Sequence, residues 1–378
     1  MSLIANSMIS GMGVYTPSQA VSNAELVAAF NRYVVQYNET HATEIAAGQC
    51  EPLALSDTDF IIKASGIEQR FLLDAAGVLD PQRLRPAWAA RPDEALSLQA
   101  EIAISAAQDA LAQAELAPDA IDVVIVACSN LQRPYPAVAI EVQAALGCAG
   151  FAYDMNVACS SATFGLQQAA NHIATGKAKH VLMVNPEICS VHLDFHNRDC
   201  HFIFGDVCTA VVISAIDQAP QKSGFHILDI ALATRFSNNI RNNFGFLNRV
   251  ETATGQCPPD YLFSQQGRKV FKEVTPLVVN HIESQLARLS LSASDLKRLW
   301  LHQSNSHMNR LIAEKILGFK PTPEQTPSIL ERYANTSSAG VIVALKEYHD
   351  DLADGDLGLL SSFGAGYSVG SVLLQKTG

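Results

Sequence analysis

Three residues able to support nucleophilic catalysis stand at three turns rich in small side chains. Cys159 lies in Met155-Asn-Val-Ala-Cys-Ser-Ser-Ala-Thr-Phe-Gly165, His302 in Trp300-Leu-His-Gln-Ser-Asn305, and Asn335 in Tyr333-Ala-Asn-Thr-Ser-Ser-Ala-Gly340. A thiolate attacks carbonyl carbon well, and an imidazole or a carboxamide can donate to a carbonyl oxygen that gains charge. Cys159 follows the apolar run Phe151 to Val157 and opens a small-residue segment through Ala170, which reads as strand and then helix. At such a junction the free first-turn amides and the helix dipole are expected to lower the thiol pKa. Each residue also has a plain structural reading. A free cysteine is commonly a small buried hydrophobe, a histidine at a strand end a packing residue, and an asparagine a helix cap. The chemical reading requires the fold to gather all three.

The elements that must do so repeat. Short β-branched strands alternate with helical segments, which predicts an α/β fold. Two stretches, 110–130 and 285–305, match in pattern without gaps at an offset of 175 residues. Both read as a helix end, a capped polar loop, a buried strand and a Ser-Asn exit. Cys159-Ser-Ser-Ala162 likewise matches Thr336-Ser-Ser-Ala339 at an offset of 177. Each then starts a helix leading to an apolar strand, Val181-Leu-Met-Val184 or Leu357-Gly-Leu-Leu360. The chain reads as two duplicated halves: 1–220 carrying the nucleophile and 221–378 carrying His302 and Asn335. Halves that face each other would bring the three turns to one centre.

Composition narrows the setting. A chain of 378 residues with 48% hydrophobic content can bury a large core. Its formal net charge of −11 argues against a general nucleic-acid or anionic-membrane surface, so an acidic partner needs a local basic patch. The eight cysteines (Cys50, Cys128, Cys148, Cys159, Cys189, Cys200, Cys208 and Cys257) are scattered without a C-x-x-C pair. That pattern fits reduced thiols in a cytoplasm. No basic-then-apolar leader opens the sequence and no run is long enough to span a bilayer, so no membrane is expected.

The motifs around Cys159, His302 and Asn335, with the closing Phe363-Gly-Ala-Gly-Tyr-Ser-Val-Gly370, together resemble β-ketoacyl-ACP synthase III. That family comprises the initiating condensing enzymes of fatty acid synthesis, within the thiolase superfamily. The match runs from Ile9-Ser-Gly-Met-Gly-Val-Tyr-Thr-Pro17 to the C-terminus, through Ser65-Gly-Ile-Glu-Gln-Arg70 and His201-Phe-Ile-Phe-Gly-Asp206. The resemblance implies a five-layered α-β-α-β-α thiolase fold and a homodimer. It also implies a mechanism. Cys159 takes an acyl group from acyl-CoA, and malonyl-ACP then loses carbon dioxide and attacks the acyl-cysteine. The oxyanion would be held by the backbone N–H groups of Cys159 and Ala365. His302 and Asn335 would hydrogen-bond the malonyl thioester carbonyl. No metal or organic cofactor is implied.

Other roles carry over by position. Phe60, usually Trp, and Arg198 match the pair that sandwiches the CoA adenine; a second family arginine is Ala64 here, beside Lys63. Asn305 matches a residue of the pantetheine tunnel. Tyr135, in Arg133-Pro-Tyr-Pro136, matches an aromatic that crosses the dimer interface to gate the acyl pocket; otherwise it is a turn residue between prolines. Lys272, in Arg268-Lys-Val-Phe-Lys272, matches a lysine that docks the acyl carrier protein; otherwise it belongs to a solvated helix face. The arginine expected five residues after the active histidine is His307.

Two segments are extra, about Phe30 to Ser56 and Leu79 to Pro92, and they suggest a medium-chain acyl primer. A polyketide-type starter enzyme or an ester-forming acyltransferase with the same triad is the main enzymatic alternative. A papain-like protease lacks its cysteine context here, and a degradative thiolase would need a second cysteine near Phe363-Gly-Ala-Gly366. A non-catalytic acyl-binding module is disfavoured by the intact triad. His192-Leu-Asp-Phe-His196, with Asp199, Cys200 and His201, carries metal-type side chains but no complete ligand set.

Overall fold

The structure is a computed structural model that describes residues 6–242 and 262–378; Cys257 lies outside them. Its strands are β1 (Ser7–Tyr15), β2 (Gln19–Ser22), β3 (Gln69–Leu72), β4 (Val123–Ala127), β5 (Phe151–Met155), β6 (His180–Ile188) and β7 (Asp206–Ala215). They continue with β8 (Gly224–Ser237), β9 (Ile240–Arg241), β10 (Ser264–Gln265), β11 (Leu296–Leu301), β12 (Leu357–Gly364) and β13 (Gly366–Thr377). The helices are α1 (Asn23–Thr40), α2 (Ala42–Ala46), α3 (Thr58–Ser65), α4 (Ala75–Leu79), α5 (Leu98–Ala114) and α6 (Val138–Leu146). After them come α7 (Ser161–Ala174), α8 (Gly267–Arg288), α9 (Ser306–Leu317), α10 (Leu330–Tyr333) and α11 (Ala339–Glu347).

The main sheet runs β11-β12-β13-β8-β1-β7-β6-β4-β5. Outward from β1, strand β7 is antiparallel, β6 antiparallel to β7, and β4 parallel to β6. Outward from β8, strand β13 is antiparallel, β12 antiparallel to β13, and β11 parallel to β12. The same succession is built twice. The two sets meet where β1 pairs with β8 through Met8↔His226 and Ile9↔Phe225.

Helices fill both faces of each set, giving the five layers of the thiolase fold. α5 and α6 cover the outer face of the first set, and α8 and α9 that of the second. α7 and α11 pack between the sets and touch strands of both. A helix packed between two sheets buries most of its surface, which explains the run of small and apolar residues in both. In α11 every residue from Ala339 to Leu345 is buried. Close approach needs small residues on the sheet too: a Cβ on Gly13 would lie 1.9 Å from the Ala106 carbonyl oxygen of α5.

The segment 30–56 forms the second half of α1, the short α2 and a return strand of chain. It is pinned by reciprocal bonds from side chains of α1. Asn31 pairs with the backbone of Ser56 in both directions at 2.9 Å, and Asn38 does the same for Leu53 at 3.0 and 2.9 Å. Phe30, Val34 and Leu84 join a separate apolar cluster with Phe202 and Phe204, so both extra segments pack over one end of the sheets.

Candidate active site

Cys159 sits in a 3-10 turn, Ala158–Ser160, between the end of β5 and the start of α7. The residue before it, Ala158, has φ of +47°, a conformation that costs a non-glycine residue about 1–2 kcal/mol. The turn is held open by hydrogen bonds. Asn156 Oδ1 accepts from the Ala158 amide at 2.8 Å, and Ser161 Oγ accepts from the Val157 amide at 2.9 Å. His302 directly follows β11, and its carbonyl accepts from Asn309 Nδ2 at 2.8 Å. Its ring meets Phe363 edge-on, with centroids 5.2 Å apart. Asn335 lies between α10 and α11. Its amide donates to the Ile203 carbonyl at 3.0 Å and its carbonyl accepts from the Gly205 amide at 3.1 Å. Its Oδ1 accepts from the Ser337 amide at 2.9 Å, which leaves the side-chain NH2 for a ligand.

All three residues line one cavity of about 510 Å³, together with Phe363 and Gly364. His302 is 2% and Asn335 6% exposed. The backbone amides of Ala365 and of Cys159 itself, and the Ser337 hydroxyl, lie near enough to the sulfur to favour its ionised form. Gly364 permits this proximity, since a Cβ there would lie 2.7 Å from the Cys159 Cβ and 3.0 Å from its sulfur.

The electrostatics differ from the expectation of an acidic thiol. Burial, reinforced by the Glu187 carboxylate, pushes the Cys159 thiol up to about 11, against the donors that face it. Burial likewise pushes His302 down to about 4, and its Nδ1 is buried without a partner. Desolvation penalises both charged forms more than one helix terminus favours the thiolate. The resting pair at neutral pH is therefore thiol and neutral imidazole. Iodoacetamide labelling of Cys159 is expected to accelerate continuously from pH 7 through pH 10, following the thiolate fraction. A rate plateau between pH 6 and 8 would contradict this.

The remaining sequence-derived residues divide. Arg198 lies directly over Phe60, its guanidinium carbon 4.1 Å from the ring centroid, with Nε donating to the Leu55 carbonyl at 2.6 Å. The two thus meet, but they stack on each other, and a base could enter between them only by parting them. Asn305 lines the cavity, yet its side chain is engaged. Oδ1 caps α9 through the amides of His307 and Met308, and Nδ2 donates to the Ala64 carbonyl at 2.9 Å. Lys272 and Arg268 line the cavity from α8. Tyr135 is far from burial at 82% exposure. His192 is buried, its Nδ1 3.0 Å from Asn130 Nδ2, whereas the exposed His196 faces Asp194. Among the described residues no three His, Cys, Asp or Glu side chains are grouped to hold a metal.

Sequence reasoning missed Ser337, Gly364 and Phe363 as neighbours of the triad. It also missed Glu187, although a lone charge within the apolar run from Val181 to Ile188 was a readable signal.

Comparison with known proteins places the chain in a family. The family models for 3-oxoacyl-[acyl-carrier-protein (ACP)] synthase III match residues 153–235 and, for its C-terminal part, 286–376. A β-ketodecanoyl-[acyl-carrier-protein] synthase of Pseudomonas aeruginosa is 55% identical over 92% of this chain and 99% of its own length. A β-ketoacyl-[acyl-carrier-protein] synthase III of Granulibacter bethesdensis is 29% identical over 98% of this chain and 99% of its own. Among solved structures, the 3-oxoacyl-(acyl carrier protein) synthase III of Pseudomonas aeruginosa superposes with a TM-score of 0.76 at 25% identity, covering 98% of each chain. The chain belongs to the 3-oxoacyl-[acyl-carrier-protein] synthase III family of condensing acyltransferases.

Proposed function

We propose that this enzyme transfers an eight-carbon acyl group from CoA to Cys159 and condenses it with malonyl-ACP, giving a ten-carbon β-ketoacyl-ACP. The convergence of Cys159, His302 and Asn335 on one cavity carries the reaction type. The primer length is argued from the 55% identical relative, whose name specifies a β-ketodecanoyl product; malonyl contributes two of those ten carbons after losing carbon dioxide.

The steps follow from the geometry. Cys159 sulfur bonds to the thioester carbon, the C–S bond to CoA breaks, and the thiol proton leaves with the CoA thiolate. The Ala365 and Cys159 amides, which lie by the sulfur, would receive the transient oxyanion. Malonyl-ACP then sheds carbon dioxide. The bond electrons pass into its thioester carbonyl, which the Asn335 NH2 and the neutral His302 ring stabilise by donation. The resulting carbanion attacks the acyl carbon, the C–S bond to Cys159 breaks, and the released thiolate takes a proton from solvent to regain the thiol. A histidine pushed down to about 4 suits this role, because it donates without bringing a charge that would bind the malonyl carboxylate and hinder its loss. The thioester activates one partner and decarboxylation drives the other, so no cofactor is invoked.

Phe60 and Arg198 at the mouth would part to accept the CoA adenine, and Lys272 with Arg268 would receive the acidic carrier protein. Asn305 would act on the pantetheine arm through the loop it ties to Ala64. A homodimer is supported by β5, an edge strand that among the described residues pairs only with β4 and carries exposed Phe151, and by exposed Tyr135. In such a dimer Tyr135 would reach the partner's acyl pocket. The strand repeat supports a division into 1–220 and 221–378, in the loop between β7 and β8. A cytoplasmic setting is supported by the unpaired state of the seven described cysteines; no described helix is long and apolar enough to cross a membrane.

Single-turnover acylation across acetyl- to dodecanoyl-CoA tests the primer. Octanoyl-CoA is expected to react fastest and acetyl-CoA about a hundredfold or more slower, since each buried methylene contributes about 0.8 kcal/mol. Preference for acetyl-CoA would overturn the chain length while leaving the chemistry.

A further inference from the structure

The mechanism leaves one buried acid unused. Glu187 is in β6, 0% exposed, and no cation pairs with it among the described residues. Its carboxylate instead accepts four hydrogen bonds from two serines. Ser129, at the exit of β4, donates from its amide at 3.0 Å and its hydroxyl at 2.5 Å. Ser338, at the start of α11, donates from its amide at 3.2 Å and from its hydroxyl. The other titratable groups facing Glu187 are thiols: Cys128, Cys208, Cys189 and Cys159 itself.

Each serine leads to a reacting group. The Ser129 carbonyl accepts from Asn156 Nδ2 at 2.9 Å, and Asn156 Oδ1 holds the strained Ala158 amide at 2.8 Å, one residue before Cys159. Ser338 adjoins Ser337, whose amide binds Asn335 Oδ1 and fixes the direction of the asparagine NH2. The two turns come from different halves of the chain, and Glu187 bonds to both.

We propose that Glu187 is a positioning residue for both half-reactions, a buried carboxylate that holds the Cys159 turn through Ser129 and the Asn335 turn through Ser338. The inference rests on the condensing reaction above. Burial pushes the Glu187 carboxyl above its ordinary range, and the four serine donors counter that shift in part by bonding to the charged form. The carboxylate's charge also opposes ionisation of Cys159, in line with the resting thiol.

The two arms can be cut separately. Ser129→Ala is expected to slow octanoyl transfer to Cys159 by about tenfold or more, the scale set by small misplacements of reacting groups. It should leave carbon dioxide release from malonyl-ACP on pre-acylated enzyme within about twofold. Ser338→Ala is expected to do the reverse. Glu187→Gln should slow both steps and move the pH dependence of Cys159 alkylation to lower pH, a change that loss of packing alone would not produce. If Glu187→Gln does not fold, the two serine variants decide. Both serine variants slowing both steps equally, or neither slowing either, would overturn the proposal. If wild-type enzyme accepts no acyl group from any acyl-CoA, the proposed function fails instead, and the alkylation shift still reports on Glu187.

Discussion

Replacing Cys159 with alanine is expected to abolish the acyl adduct and lower condensation by about 10⁶-fold, the loss seen when an enzyme loses its nucleophile. No nearby group can substitute. Cys189 and Cys128 are fully buried thiols held well above their ordinary range by burial and by Glu187, and neither lines the cavity. The fold should survive, because the sulfur projects into a cavity and its loss opens no sealed void. The proposed mechanism assigns different residues to the two half-reactions, so the variant should separate them. His302 and Asn335 remain in place, and carbon dioxide release from malonyl-ACP should persist at a measurable rate with no β-ketoacyl product. Intact-protein mass spectrometry with octanoyl-CoA reads the first outcome and trapped carbon dioxide the second. Turnover within a hundredfold of wild type would mean that the acyl group is carried elsewhere.

How much of this was legible in the sequence depends on whether the signal was local. The strand before Cys159, the strand before His302 and the turn at Asn335 follow from periodicity and small-residue clusters, and the structure places each there. The duplication was legible because both halves must bury the same strand exits, and its offsets map β4 onto β11 and β6 onto β12. The thiol's acidity was misjudged because a helix terminus is visible in sequence, whereas desolvation depends on walls contributed from afar. Those walls here include Phe363, Gly364 and residues of α8. The Asn305 side chain shows the same limitation. Its capping of α9 is local, a bond to the amides two and three residues on, but the bond to Ala64 emerges only once α3 is packed beside α9. Phe60 and Arg198 were paired by resemblance alone; their direct stacking depends on Leu55, within the extra segment that α1 secures.

Gly364 offers the sharpest test of how tightly the site is built. Its backbone is extended, with no positive φ to forbid a side chain, so alanine there meets only a steric problem. The added methyl would stand 2.7 Å from the Cys159 Cβ, closer than real carbon contacts, and 3.0 Å from its sulfur. Cys159 cannot retreat freely, because its turn is fixed through Asn156, Ser161 and the strained Ala158. Gly364 is fixed as well, at the end of β12 where it pairs with Ser368 of β13. The relief must come from moving the sulfur relative to the Ala365 amide next door. A displacement near 1 Å typically costs on the order of a hundredfold in rate, so Gly364→Ala is expected to slow acylation of Cys159 by about 10²–10³-fold. Overpacking should also destabilise the fold by about 1–3 kcal/mol. Rapid-quench acylation with octanoyl-CoA and a thermal melt check both. Acylation within threefold of wild type would show that the cysteine turn yields easily, and the amides at Ala365 and Cys159 would then lose their standing as a preformed oxyanion site.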